Sequence, residues 1–252
     1  MYLKWHATAS IELGNPEGRI LFDPFFPFKG AEFPVSPETY DGFPVIFVTH
    51  GHFDHIRNIP ALIRRNPETI VYATETPLAT LKKKGVPEKN LRLLSFGDSV
   101  ETNGFTVTAY HGCHAILPGV SARRIRYALR SPVFRNLFPI LRDSLVCKEN
   151  DECVFYTAEA EGKTVALMGS LNVREDVEYP TGADLLVLPY NGWEDNCPVA
   201  CGIIERLRPK RCVLDHYDDA FPSLTMPLDL SPILERYPGL VSALAFQEEI
   251  EI

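Results

Sequence analysis

The feature that most constrains this chain is a cluster of potential metal ligands directly after an apolar strand. Residues 49–55 read Thr-His-Gly-His-Phe-Asp-His, and a helix is predicted to begin next. Residues i and i+2 of an extended segment point to one side, so His50 and His52 are placed to bind one ion, while Asp54 and His55 turn towards a second. Grouping three imidazoles with a carboxylate costs desolvation free energy unless a cation offsets it. The motif therefore predicts a site for one or two metal ions.

The length and composition of the chain allow a large folded unit around this motif. The chain has 252 residues, 45% of them hydrophobic, which is enough to bury a full core. The sequence contains no Pro/Gly/Ser-rich linker, low-complexity tract or repeating period. We therefore expect a single domain over residues 1–252.

Charge and cysteine content narrow the possible partners and the compartment. The formal net charge is −8, from 33 acidic and 25 basic residues, and this balance disfavours a nucleic-acid surface. No signal peptide pattern is present, and no stretch of about 18 apolar residues could span a membrane. The six cysteines are then expected to be reduced thiols. These features predict a soluble cytoplasmic protein that acts on a small-molecule substrate.

Apolar runs of strand length alternate with helical stretches and tight turns along the chain. One strand is predicted from Leu3 to Leu13, and the pairs at residues 103–104 and 161–162 mark later hairpins. Helices are predicted over residues 59–65, 77–84, 199–207 and 230–236. Meanders joined to helical crossovers predict an α/β fold, an α/β/β/α sandwich of two mixed sheets with outer helices.

The His-x-His-x-Asp-His pattern of residues 50–55 resembles the signature of the metallo-β-lactamase-fold hydrolases. Further segments are similar to the branch of that family related to L-ascorbate-6-phosphate lactonase. These segments are residues 5–8, 20–24, 106–112 and 213–216. The resemblance implies the same sandwich fold and a metal-dependent hydrolase.

The resemblance also implies the remaining ligands. His111 would join His50 and His52 on the first ion, and His216 would join Asp54 and His55 on the second. Both added histidines end predicted apolar strands, which are rigid positions from which a site can be assembled.

Three other side chains near the predicted site receive supporting roles. His114 competes with His111, but it begins an irregular segment, so we interpret it as an outer hydrogen-bonding or surface residue. His6 and Asp23 are expected to hydrogen-bond to the ligands instead of binding the metal. Asp23 precedes Pro24, and the alternative is that it caps a turn.

The sequence departs from the family pattern at one position. The family usually bridges its two ions with an Asp that follows Gly at the end of a late strand, whereas Gly169 is followed here by Ser170. A neutral hydroxyl neutralises less of the charge of two dications, so the second ion is expected to bind weakly, to be absent or to be held by another acid. Asp218 and Asp219 follow His216, and Asp218 is the predicted replacement ligand.

Residues 115–149 are predicted to form an irregular basic insertion. They contain seven basic and two acidic side chains, interleaved with apolar ones. Two functional interpretations are a lid that recognises a phosphate or carboxylate and a segment that rests on a membrane surface. The third is an insertion that packs its apolar face on the core or on a partner subunit in a homo-oligomer.

These observations predict a hydrolase that cleaves an ester, lactone or phosphoester bond of a small anionic substrate through metal-bound hydroxide. A divalent ion lowers the pKa of bound water to about 7. Asp54 would position this water or receive its proton. Zinc is the first choice of metal, with manganese and iron as alternatives. The alternative function, suggested by Ser170, is a metal-binding sensor or scaffold without turnover.

Overall fold

Two seven-stranded β-sheets face each other in the computed structural model, which describes residues 1–115, 134–192, 195–222, 225 and 228–252. The strands of the first sheet are β1 (Tyr2–Ala7), β2 (Ser10–Asn15), β3 (Gly18–Phe22), β4 (Val45–Phe47), β5 (Ile70–Ala73), β6 (Leu91–Leu93) and β14 (Glu249–Glu251). Those of the second are β7 (Ser99–Thr102), β8 (Phe105–His111), β9 (Val154–Ala160), β10 (Lys163–Met168), β11 (Leu185–Pro189), β12 (Cys212–Asp215) and β13 (Val241–Ala243).

Each sheet is part antiparallel meander and part parallel. The first sheet has the order β14-β1-β2-β3-β4-β5-β6, and its pairs are antiparallel up to β3 and parallel from β3 to β6. The second has the order β13-β12-β11-β10-β9-β8-β7, with parallel pairs from β13 to β10 and antiparallel pairs from β10 to β7. Parallel neighbours need crossover connections, and helices supply most of them.

The described helices are α1 (Phe53–Ile56), α2 (Ile59–Arg65), α3 (Glu75–Lys83), α4 (Phe134–Val146), α5 (Asn196–Leu207) and α6 (Ser231–Arg236). Short 3₁₀ turns cover Pro37–Tyr40 and Glu88–Asn90. No helix in the described ranges is long and apolar enough to cross a membrane.

Alternation along the strands divides the core into layers. Leu3, Trp5 and Leu13 of the first sheet pack between the sheets with residues of the second such as Val107 and Tyr156. The outer face of the first sheet packs against α1, α2 and α3, and the outer face of the second packs against α5 and α6. This layering confirms the predicted α/β/β/α sandwich.

Two sequence expectations about secondary structure are corrected. The strand predicted from Leu3 to Leu13 is a hairpin, because the chain reverses at Thr8, where φ is 52°. The turn contains no Gly, Pro, Asn or Asp, so no sequence signal marks it. The described end of the predicted irregular insertion is the helix α4, which contains Pro139. The insertion's residues 116–133 lie outside the described ranges.

Candidate metal centre

Six side chains with metal-ligand chemistry meet at one edge of the sandwich in two groups of three. His50, His52 and His114 form the first trio, and Asp54, His55 and His216 form the second. Within each trio the ligand atoms lie within 4.8 Å of one another. The ring centroids of His50 and His55 are 3.9 Å apart, so the two trios are adjacent.

The residues of the first trio come from the loop after β4 and the segment after β8. His50 Nε2 lies 3.1 Å from His52 Nδ1, and the ring of His114 contacts the rings of both, with centroids 5.0 and 4.5 Å away. Burial and the neighbouring imidazoles lower the pKa of His50 well below its ordinary value. Burial lowers the pKa of His52 to about 4. Both rings are therefore neutral at neutral pH, which is the form that binds metals.

The second trio is organised around the carboxylate of Asp54. Its Oδ2 lies 3.1 Å from His216 Nε2 and 3.5 Å from His55 Nε2. Burial alone would raise the pKa of Asp54, but His55 and the hydrogen bond from His216 outweigh it and hold the pKa well below its usual range. Burial alone would lower the pKa of His216, yet Asp54 raises it to about 9. Without a metal this trio is therefore held together as an ion pair.

Asp23 supports the second trio from behind, as expected of an outer hydrogen-bonding residue. Its Oδ2 is 2.7 Å from His55 Nδ1, while its Oδ1 accepts the backbone N–H of Thr49 at 2.8 Å. The contact with Nδ1 leaves His55 Nε2 to face Asp54 and fixes the ring orientation. His6 does not take this role, because its Nε2 contacts Glu12 at 2.8 Å.

Close backbone approaches shape the loop that carries the motif. A Cβ at Gly51 would lie 1.9 Å from the carbonyl oxygen of Lys148, so only glycine fits between the two histidines. Asp23 and His216 have positive φ values of 44° and 58°. Such strained residues tend to cluster at functional sites, held there by the surrounding structure.

His114, and not the predicted His111, is the third member of the first trio. His111 continues the inward-facing row of Val107 and Ala109 along β8, and its ring stacks on Phe96 with a centroid separation of 4.1 Å. Its Nε2 is 2.9 Å from the carbonyl oxygen of Asp151. His114 lies beyond the strand, where the chain has turned towards His50. Which of the two histidines reaches His50 depends on where β8 ends and on how the chain turns after it.

Asp218, predicted as a replacement ligand, belongs to neither trio. Its Oδ1 accepts the backbone N–H of Thr8 at 3.0 Å, and its Oδ2 accepts the hydroxyl of Thr8 at 3.3 Å. The carbonyl oxygen of Thr8 in turn accepts the N–H of His216 at 2.9 Å. Asp218 thus holds the β1–β2 turn against the segment that carries His216.

Ser170 lies at the end of β10, next to both loops of the first trio. Its hydroxyl oxygen accepts a hydrogen bond from the backbone N–H of Ala115 at 3.0 Å, and Ala115 is the residue directly after His114. A Cβ at Gly169 would lie 2.7 Å from the Cβ of Thr49, so β10 ends in close contact with the residue before His50. A longer side chain at position 170 would therefore extend from the contact between the end of β10 and the two loops that carry the first trio.

The donor set fits divalent transition metals. Imidazole suits zinc, iron and other first-row ions, and the carboxylate of Asp54 adds charge for a second ion. Two ligand atoms on one tetrahedral zinc stand roughly 3.3 Å apart, which the contacts inside each trio approach. Three protein ligands per ion also leave a coordination position open, as in catalytic sites.

Comparison with known proteins agrees with this architecture. A family model described as a beta-lactamase superfamily domain matches residues 18–217. A UPF0173 metal-dependent hydrolase from a Roseiflexus species (strain RS-1) is 29% identical over 185 residues, which are 73% of this chain and 67% of that protein.

Solved structures share the fold at low sequence identity. Igni18, a metallo hydrolase from the archaeon Ignicoccus hospitalis, superposes with a TM-score of 0.65 at 15% identity, covering 99% of this chain and 97% of its own. An isothiocyanate hydrolase from Delia radicum gut bacteria has a TM-score of 0.65 at 16% identity. The match covers 100% of this chain and 99% of the hydrolase. Because the family model spans most of the sandwich and the motif, this chain belongs to the beta-lactamase superfamily.

Proposed function

We propose that this protein is a metal-dependent hydrolase that cleaves an ester, lactone or phosphoester bond of a small anionic molecule. The observation that carries the proposal is the pair of adjacent trios, each with three ligand atoms within 4.8 Å of one another. Zinc is the proposed metal, held by His50, His52 and His114 in the first trio. The second trio would hold a second ion, with manganese and iron as the alternatives at either position.

A bound divalent ion supplies a Lewis acid that polarises the substrate and acidifies water. Asp54 then has a defined part. Its depressed pKa keeps the carboxylate ionised, so it accepts hydrogen bonds and orients the attacking water, but it retains a proton poorly at neutral pH. The water-orienting role of Asp54 is therefore favoured over the proton-accepting one.

The substrate class rests on charge and on the family resemblance. The acidic chain opposes polyanions, whereas Arg142 and Lys148, both exposed, belong to residues 115–149, which carry five more basic than acidic side chains. This balance favours a small molecule with one or two negative charges. The similarity to the L-ascorbate-6-phosphate lactonase branch makes lactones candidate substrates. The isothiocyanate hydrolase among the structural neighbours makes isothiocyanates a further class to test.

Metal loading and a substrate screen test the proposal. The metal-free protein is reconstituted with zinc, manganese or iron, its metal content is measured by elemental analysis, and esters, lactones, phosphodiesters, thioesters and isothiocyanates are assayed. Between about one and two ions per chain and turnover of at least one class are expected. Less than about half an equivalent of any metal would overturn the metal centre. Full loading without turnover, together with tight ligand binding, would favour the sensor alternative raised by Ser170.

A further inference from the structure

Helix α4 is attached to the body of the protein through a mixed polar and apolar face. Asn136, Ile140 and Asp143 are 4%, 2% and 3% exposed, and they recur at helical spacing. Asn136 donates its amide to the carbonyl oxygen of Lys29 at 3.0 Å. Asp143 forms an ion pair with Arg57 at 2.9 Å. The orientation of the helix on the sandwich is therefore fixed by specific contacts.

The opposite face of α4 is apolar and open to solvent. Phe138, Leu141, Leu145 and Val146 are 75%, 55%, 74% and 50% exposed. They account for four of the six exposed large hydrophobic side chains in the described ranges. A surface helix usually buries its apolar face and exposes its polar one, and α4 exposes most of its apolar side chains instead. An apolar patch that remains exposed marks an interaction surface.

The charge of the sequence that contains this helix favours an anionic partner. Residues 115–149 carry five more basic than acidic side chains, whereas the whole chain has a net charge of −8. Arg142 and Lys148 are exposed within or directly after the helix. Two copies of so basic a segment would repel each other across a symmetric interface. An apolar stripe beside basic residues is instead suited to the surface of an anionic lipid bilayer.

We infer that α4 docks this protein on anionic membranes, with Phe138, Leu141 and Leu145 entering the boundary between headgroups and acyl chains. Basic side chains beside them pair with lipid phosphates. The anchored face of the helix packs through Ile140 on Phe25 and Phe221, and Phe221 also contacts the ring of His216. The anchored face of α4 therefore lies near the metal centre and the docking surface faces away from it, and the inference does not depend on the hydrolase activity.

Vesicle flotation of the full chain tests this inference. Vesicles of phosphatidylcholine alone are compared with vesicles in which about a third of the lipid is phosphatidylglycerol. Binding to the anionic vesicles is expected, with loss at high salt because the attraction is partly electrostatic. The double variant Phe138→Ser/Leu145→Ser should bind at least about tenfold more weakly, because two apolar side chains no longer leave water at the interface.

The matched control is Leu93→Ser, which removes an apolar side chain that is 53% exposed on strand β6. It should bind anionic vesicles like the unaltered protein, and circular dichroism with thermal melting verifies that all variants fold. No binding to either vesicle type, or binding that the double variant retains, would overturn the inference. A dimer in light scattering that the double variant abolishes, without vesicle binding, would overturn it in favour of self-association.

Discussion

The two trios differ in how their charges are balanced before a metal arrives. The first contains only imidazoles, whose pKa values burial lowers, so it is neutral and ready to coordinate. The second contains Asp54, which raises the pKa of His216 to about 9 and keeps that ring protonated. The first trio is held without charge, through the contact of His50 with His52 and the packing of the His114 ring on both, whereas the second is held by its own ion pair. We therefore expect the two adjacent sites to differ in how their metal affinity depends on pH.

The largest effect is expected when a ligand is removed from the first trio. His114→Ala should abolish the first ion and reduce any hydrolysis by at least about 100-fold, because two imidazoles hold a buried ion poorly. His111→Ala is the matched control, since His111 lies three residues earlier and stacks on Phe96 instead. Elemental analysis and steady-state assays measure both. If His111→Ala lost the metal and His114→Ala kept it, the assignment would reverse.

The next largest effect is expected when Asp23, the carboxylate that contacts His55 of the second trio, is substituted. Asp23→Asn should weaken the second ion by about 10- to 100-fold, because the amide no longer fixes the charge and orientation of His55. The control is Glu12→Gln, another buried carboxylate paired with a histidine, His6, at 2.8 Å. Calorimetric metal titration is the measurement. Equal weakening in both variants would indicate a general loss of folding instead of a specific contact.

The protonation difference gives a pH test. The pKa of His216 is raised from 6.5 to about 9, so its ring carries a proton at pH 7 that a metal must displace. The affinity for the second ion should therefore rise with pH, by up to about tenfold per unit, until about pH 9. The first ion should lack this dependence above pH 7. Titrations in buffers of different ionisation enthalpy count the released protons, and none released at pH 7 would contradict the difference.

The proton on His216 also affects the stability of the metal-free fold. A raised folded-state pKa stabilises the protein fully below the unfolded value of 6.5, and this contribution is lost as pH rises through about 9. The melting temperature of metal-free protein should accordingly contain a component that falls over this range. His216→Asn should remove that component.

Restoring a family carboxylate has the smallest expected effect. If Ser170 occupies the bridging position, Ser170→Asp should tighten the second ion several-fold, because a carboxylate between two dications neutralises charge. Asp218→Asn should leave metal stoichiometry unchanged, because Asp218 holds Thr8. Unchanged affinity in Ser170→Asp would place Ser170 outside the metal shell. Loss of an ion in Asp218→Asn would show that the loop rearranges around bound metal.

Local sequence patterns were sufficient for most of the fold. Helices α2 and α5 and the hairpin of β9 and β10 lie close to their predicted residues, because periodicity and turn chemistry act over a few residues. The β1–β2 turn was missed because its residues, Thr8 and Ala9, are buried like the strands around them and include no Gly, Pro, Asn or Asp. Helix α4 was missed because Pro139 lies inside it, although its apolar residues recur at helical spacing.

The sequence by itself determined the part of the centre that lies within one short stretch. His50, His52, Asp54 and His55 follow a buried strand, and their relative positions depend on a few backbone dihedral angles. Which histidine after β8 joins the motif, and what Asp218 contacts, was decided only by the tertiary structure. Whether His111 or His114 reaches His50 depends on where β8 ends and how the chain turns, and whether Asp218 faces a metal or Thr8 depends on how β1 packs on the segment after β12. Contacts between residues distant in sequence fix these outcomes, and no local spacing encodes them.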